Sequence, residues 1–211
     1  VYTWMTCGLA MTALTAMIVG RNENWVYTLA TSGMYWGLLI AEVVLVIFLS
    51  ARINKMSFAT AGLMFAAYAI LNGVTMSFIM LAYTAESIAQ AFFVTAGTFG
   101  AMSLVGFFIK KDLSAMGRTL MMALIGLIIA TLVNIFWQNS MMASILNYAG
   151  VIIFVGLTAY DTQKIKVMLQ QAQYAGISDQ TNKLALMGSL TLYLDFINLF
   201  LYILRLFGNR K

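Results

Sequence analysis

Three acids of this chain fall inside or beside long apolar runs: Glu42, Asp161 and Asp195. The other four, Glu23, Glu86, Asp112 and Asp179, fall in polar connections. An acid held in the middle of a bilayer costs at least about 2.5–3.5 kcal/mol on insertion scales, so one kept there is a candidate for handling ions or protons. The ordinary alternative is a carboxyl that stays protonated, or pairs with a base, and merely ties helices together. The chain has no histidine and a single cysteine, Cys7. The usual pH switch, the usual metal ligand and any thiolate cluster or intrachain disulfide are therefore missing. Proton sensing near neutrality would fall to carboxylates in unusual surroundings.

Two carboxyls in contact cannot both ionise cheaply, and they titrate as a unit. Once ionised, the same two groups form an oxygen-rich site for a hard cation such as Ca²⁺, so protons and Ca²⁺ would compete there. Asp161 and Asp195 can meet if the helix carrying Asp161 continues to about residue 169, with Lys164 and Lys166 snorkelling outward. At a rise of about 1.5 Å per residue, Asp161 then lies about 12 Å deep and Asp195 about 16 Å deep on the next, antiparallel helix. Around Asp195, the residues Thr191, Asn198, Tyr202 and Arg205 recur at helical spacing and predict one polar face. A polar stripe in a membrane must turn toward protein or water. Thr191, Asn198 and Tyr202 are accordingly candidates to line an ion path, and the last helix is expected at the centre.

The elements that would position these residues follow from composition. Of 211 residues, 62% are hydrophobic and 9% charged, against roughly 25% charged in a soluble domain. There is no proline to interrupt helices. Apolar runs over about 1–19, 29–50, 58–83, 88–109, 119–137, 141–160 and 184–207 predict seven membrane-crossing helices. The expected fold class is an all-α integral membrane protein, a single seven-helix domain over 1–211. The polar segment 170–183 reads as the connection before the last span. Gly97 and Ala101, like Ala96 and Gly100, give small-xxx-small spacing in the fourth span. Packing within the bundle is its ordinary use, and a contact between copies in a homo-oligomer the alternative.

The net charge is +5. Its placing in short loops points to topology, not to nucleic acid. Arg52, Lys55, Lys110, Lys111, Arg118, Lys164, Lys166 and Lys183 fall on the side of the amino terminus, and only Arg21 in the loops opposite. The positive-inside rule makes the first side cytoplasmic. Seven spans leave Arg210 and Lys211 on the other side, against that bias.

The stretch Gly156-Leu157-Thr158-Ala159-Tyr160-Asp161-Thr162-Gln163-Lys164-Ile165 resembles the sixth-helix signature of the transmembrane Bax-inhibitor motif family. Ser189-Leu190-Thr191-Leu192-Tyr193-Leu194-Asp195-Phe196-Ile197-Asn198-Leu199-Phe200 resembles its last-helix signature closely, and is the more specific of the two. Length, span count and the placing of Ala41-Glu42 extend the likeness over the whole chain. The small size and short loops resemble a bacterial member, in the cytoplasmic membrane. The resemblance implies a pH-sensitive Ca²⁺ leak, with Asp161 and Asp195 as the sensing pair. It implies that Arg52, after the second span, latches the closed state by bonding to the pair, and that Glu42 lines the path. The 170–183 connection is longer and more polar than the family pattern.

Other classes compete. Two aspartates on neighbouring spans are also similar to the dyad of intramembrane aspartyl proteases, where carboxylates activate water. Those enzymes carry Gly-x-Gly-Asp and Pro-Ala-Leu segments. Here Leu192-Tyr193-Leu194 precedes Asp195 and proline is absent, so no catalytic residue is assigned and no enzyme is expected. A proton-coupled transporter would also use buried acids, although no repeat or broken-helix pair is visible. A non-conducting regulatory membrane protein is the third reading. Apart from lipid, Ca²⁺ and protons, no cofactor or partner is implied.

Overall fold

The computed structural model describes residues 1–174 and 178–211, apart from the side chains of Glu23, Asn54, Ser178 and Asp179. The described residues form eight α-helices: α1 (Tyr2–Gly20), α2 (Glu23–Thr31), α3 (Met34–Arg52), α4 (Phe58–Ala82), α5 (Ala85–Phe108), α6 (Ser114–Trp137), α7 (Ser140–Tyr174) and α8 (Ser178–Phe207), with a 3₁₀ turn over Ile53–Lys55. Seven are long and apolar enough to cross a membrane; α2, at 9 residues, is not. The chain is an all-α integral membrane protein, and α8 is its most buried span. In the apolar stretch of α8, 56% of residues are buried, against 33% at most in the other spans.

Two boundaries and one packing feature differ from the sequence expectation. The second apolar run, expected from residue 29, is broken at Ser32–Gly33. Gly33 takes φ +70°, a left-handed conformation open to glycine, and starts α3 afresh. The preceding residues make α2, whose first turn is capped by Asn22 accepting the Trp25 N–H at 3.3 Å. The expected polar connection 170–183 is largely helical: α7 runs to Tyr174 and α8 starts at Ser178, leaving 175–177 outside the described residues. Leu, Gln, Met, Lys and Ala, which are good helix formers, make up most of residues 164–174. Finally, the two glycines of the small-residue spacing in α5 face open space. A Cβ added at Gly97 or Gly100 meets nothing within 4 Å.

The chain divides into two compact units. The first comprises 1–85, 169–193 and 210–211, and the second 86–168 and 194–209. In the first unit α1 lies against α4 at backbone contact: a Cβ on Gly73 would come 2.6 Å from the Thr12 carbonyl oxygen. Lys211 donates its backbone N–H to Ala82 O at 3.1 Å and its ammonium to Met80 O at 2.7 Å. The basic end of the chain thus sits at the carboxyl end of α4. In the second unit α5 and α7 approach equally closely: a Cβ on Gly106 would lie 2.2 Å from Ala159 O. Nothing larger than glycine fits at either crossing, and each holds a helix that carries the polar residues described next.

Candidate functional site

Asp161 on α7 and Asp195 on α8 both belong to the second unit, where their side chains are hydrogen-bonded to one another. They are 8% and 5% exposed, so bulk water does not screen them. A hydrogen bond between two carboxyls needs a proton on one of them. Two bare charges at about 4 Å would repel by about 4 kcal/mol even at an effective dielectric constant of about 20, more than one such bond returns. A shared proton or a bound cation would remove that repulsion. Asp195 Oδ2 is buried and has no hydrogen-bond partner among the described residues. Such an orphaned acceptor costs about 1–3 kcal/mol, and a proton or a metal ion would relieve it.

The surroundings of the pair are mostly committed elsewhere. Thr158 donates to Phe154 O at 2.7 Å within α7, and Thr162 reaches Ser103 Oγ at 3.5 Å. Lys164, one turn on, is the cation whose field reaches Asp161, and its ammonium lies 5.7 Å from the centre of the Tyr160 ring. Gln163 staples the α5–α6 loop. Its amide donates to Lys111 O at 2.9 Å and its carbonyl oxygen accepts the Leu113 N–H at 2.9 Å. Lys166 donates to Phe107 O at 2.7 Å and closes the carboxyl end of α5. The signature segment of α7 thus positions Asp161 by fixing its own helix to the neighbouring loop.

The side chains of the polar face predicted around Asp195 find partners within the protein. Asn198 turns its amide back to Leu194 O at 2.8 Å, and Thr191 bonds Met187 O at 3.1 Å. Tyr202 stacks on Phe154 with centroids 5.8 Å apart and hydrogen-bonds Thr131, while Arg205 lies over the Tyr202 ring. Each of these side chains therefore has a local partner.

Glu42 lies in the first unit, buried, in a network the sequence reading missed. Thr75 donates to Glu42 Oε1, and Asn72 also bonds the carboxyl. Tyr193 donates to Asn72 Oδ1 at 3.2 Å and lies 2.7 Å from Thr12 Oγ1. Thr12 in turn reaches Ala69 O at 2.9 Å. The available signal was Asn72 itself, an amide amid the third apolar run. Arg52 ends α3, exposed, with its guanidinium 5.8 Å from the centre of the Phe48 ring.

As a metal site the aspartate pair is sparse. No group of three or more acidic, histidine or cysteine residues occurs among the described residues. Calcium takes six to eight oxygens, so two carboxylates would leave most of its shell to water and carbonyls.

Comparison with known proteins gives a consistent result. The family described as "Inhibitor of apoptosis-promoting Bax1" matches residues 1–211. The chain is 49% identical over 212 residues to the "Inner membrane protein YbhL" of Escherichia coli (strain K12), covering 100% of this chain and 90% of that protein. It is 44% identical to a protein of Deinococcus radiodurans, covering 100% of this chain and 88% of the relative. It is 41% identical to one of Borreliella burgdorferi, at 100% and 90% coverage.

Proposed function

The chain belongs to the Bax inhibitor-1 family, and from that premise we propose that it is a pH-sensitive Ca²⁺ leak channel of a bacterial inner membrane, gated by the protonation of Asp161 and Asp195. The observation that carries the reading is a buried, hydrogen-bonded carboxyl pair with one orphaned oxygen, Asp195 Oδ2. With one proton shared, the pair is neutralised enough to stay buried. Losing that proton leaves two like charges that only a cation can compensate. Protons and Ca²⁺ then compete for the same oxygens, and Ca²⁺ binding strengthens as pH rises. Arg52 is the cation that the family resemblance nominates as latch, and Glu42 the acid along the path. The amino terminus is cytoplasmic in this reading, on the strength of the loop charges.

The test is Ca²⁺ flux through the purified chain in liposomes across about pH 5–8. A flux that is graded in pH and unsaturated by Ca²⁺ gradient is expected. No flux at any pH would leave a regulatory membrane protein, and a saturable flux locked to proton counter-movement would make it a transporter.

A further inference from the structure

The second unit carries a built groove at the end of the membrane where α6 begins, apart from the aspartate pair. Gly117, in the first turn of α6, lies directly against the ring of Tyr160 on α7. A Cβ there would come within 2.4–2.5 Å of three ring atoms, so only glycine lets the ring lie on the α6 backbone. The ring forms one wall of an open cavity of about 580 Å³ also lined by Arg118, Thr119, Met121 and Met122. Lys164 reaches over the same ring, its ammonium 5.7 Å from the ring centre. Arg118 lines the groove and Lys164 stands over the ring that walls it, and both cations are exposed. The other end is apolar: Met121 and Met122 are 48% and 65% exposed, on a helix of which only 6% of the apolar stretch is buried.

Two acids lie near these cations, Asp112 by Arg118 and the buried Asp161 by Lys164. Asp112 accepts the Ser114 N–H at 2.9 Å and its hydroxyl at 2.7 Å, both on Oδ1, which ties that oxygen to the start of α6. The hydroxyl of Thr119 is spent on Ala115 O at 3.2 Å. Because Asp161 is buried, the exposed charge beside Tyr160 is two cations, Arg118 and Lys164, against one acid, Asp112. A cationic mouth beside a methionine-lined, bilayer-facing floor complements a phosphate with acyl chains attached. Free phosphate would leave the floor unoccupied, and a zwitterionic lipid would bring its own cation against Arg118 and Lys164.

We infer that this groove is a binding site for an anionic phospholipid of the surrounding bilayer, its phosphate held by Arg118 and Lys164 beside Tyr160 and its acyl chains lying along Met121 and Met122. A basic cleft between helices near the membrane surface is the chemistry by which such headgroups are recognised.

The experiment is native mass spectrometry of the purified full chain with phosphatidylglycerol or phosphatidylcholine of the same acyl chains. Wild type is expected to retain phosphatidylglycerol at least about fivefold more strongly, the effect of one surface cation on an anionic lipid. Arg118→Gln and Lys164→Gln should each lower that retention about fivefold, and Lys55→Gln, in the first unit, should leave it unchanged. Both tested side chains are exposed, and equal melting temperatures in detergent would show that the variants fold. Equal retention of the two lipids would overturn the inference. So would Arg118 and Lys164 variants no weaker than Lys55→Gln, or displacement of the lipid by millimolar inorganic phosphate, which would make this a free-anion site.

Discussion

Each of the two units buries acid within the membrane-crossing helices, and each does it differently. In the first unit a single acid, Glu42, is met by donors from Thr75 and Asn72, and Asn72 is held in turn by Tyr193. In the second, two carboxyls face one another and leave Asp195 Oδ2 without a partner. A satisfied network has little to gain from a proton or a cation, whereas a half-satisfied one has a free energy gap that either can fill. The contrast separates a group that holds helices together from a group that can respond. It also explains why burial alone is a poor guide, since Glu42, Asp161 and Asp195 are all buried.

The comparison breaks first at the pair. Asp161→Asn or Asp195→Asn keeps shape but removes one charge and one anionic oxygen. Ca²⁺ binding should fall by about tenfold or more, roughly the 1.4 kcal/mol or more carried by a lost anionic ligand. The pH midpoint of the leak in liposomes should move or vanish in both single variants. The double variant should add little, because the two residues act as one unit. Glu42→Gln should leave the midpoint in place. Independent, summing effects of the two aspartates, or a pH response that survives the double variant, would move the sensor elsewhere, with Glu42 next in line.

Arg52 gives the next largest effect. It is exposed and stacked on Phe48, so its removal leaves no buried hole. Arg52→Ala should raise basal leak several-fold and flatten its pH dependence, since a cation that favours ionised aspartate is gone. Flux and titration identical to wild type would remove Arg52 from gating and turn attention to Lys55.

The span count and the pairing of Asp161 with Asp195 were legible because both follow from a rise of about 1.5 Å per residue and the cost of charge in lipid. The bend at Gly33 was not, because a left-handed glycine leaves the apolar run of its neighbours unbroken. The local partners of Asn198 and Thr191 were not legible. Their spacing marks a face, but amide and hydroxyl side chains can satisfy themselves on the carbonyl four residues back, as both do. Tyr193 was missed for the converse reason. It lies off the 191–195–198–202 face, among leucines, and its partners Thr12 and Asn72 are 181 and 121 residues away in sequence. Gln163 stood inside the signature, yet its bonds to the loop of Lys111 and Leu113 depend on a helix crossing that no local pattern encodes.

Tyr193→Phe sharpens the comparison from the side of the first unit. It removes the donor that Tyr193 gives to Asn72 Oδ1 in a buried site, at a cost of about 1–3 kcal/mol. Thermal unfolding in detergent should fall accordingly, while the pH midpoint of the leak stays at the wild-type value. A shifted midpoint with unchanged stability would mean that the two polar systems are coupled, and that the first unit is not merely structural.

The smallest effect belongs to a carboxylate outside the spans, and it sets the scale for what an ordinary acid does in this chain. Asp112 accepts both the hydroxyl and the backbone N–H of Ser114 at the start of α6, and these bonds, with Arg118 nearby, hold its carboxyl below the usual range. The sign follows from linkage. A group whose pKa is depressed on folding adds stability above its unfolded value and loses it as pH falls through the folded one. Asp112→Asn retains an acceptor for the cap and removes only the charge, so it should destabilise α6 slightly at neutral pH. The difference from wild type should shrink below about pH 4, the ordinary range of an aspartate, and disappear at lower pH. Melting curves of the two proteins in detergent, recorded from neutral pH downward, read this directly. A difference that grows on acidification would mean that Asp112 is not acting as a charged cap. A leak whose pH midpoint followed Asp112→Asn would place part of the sensing at the membrane surface, outside the buried pair.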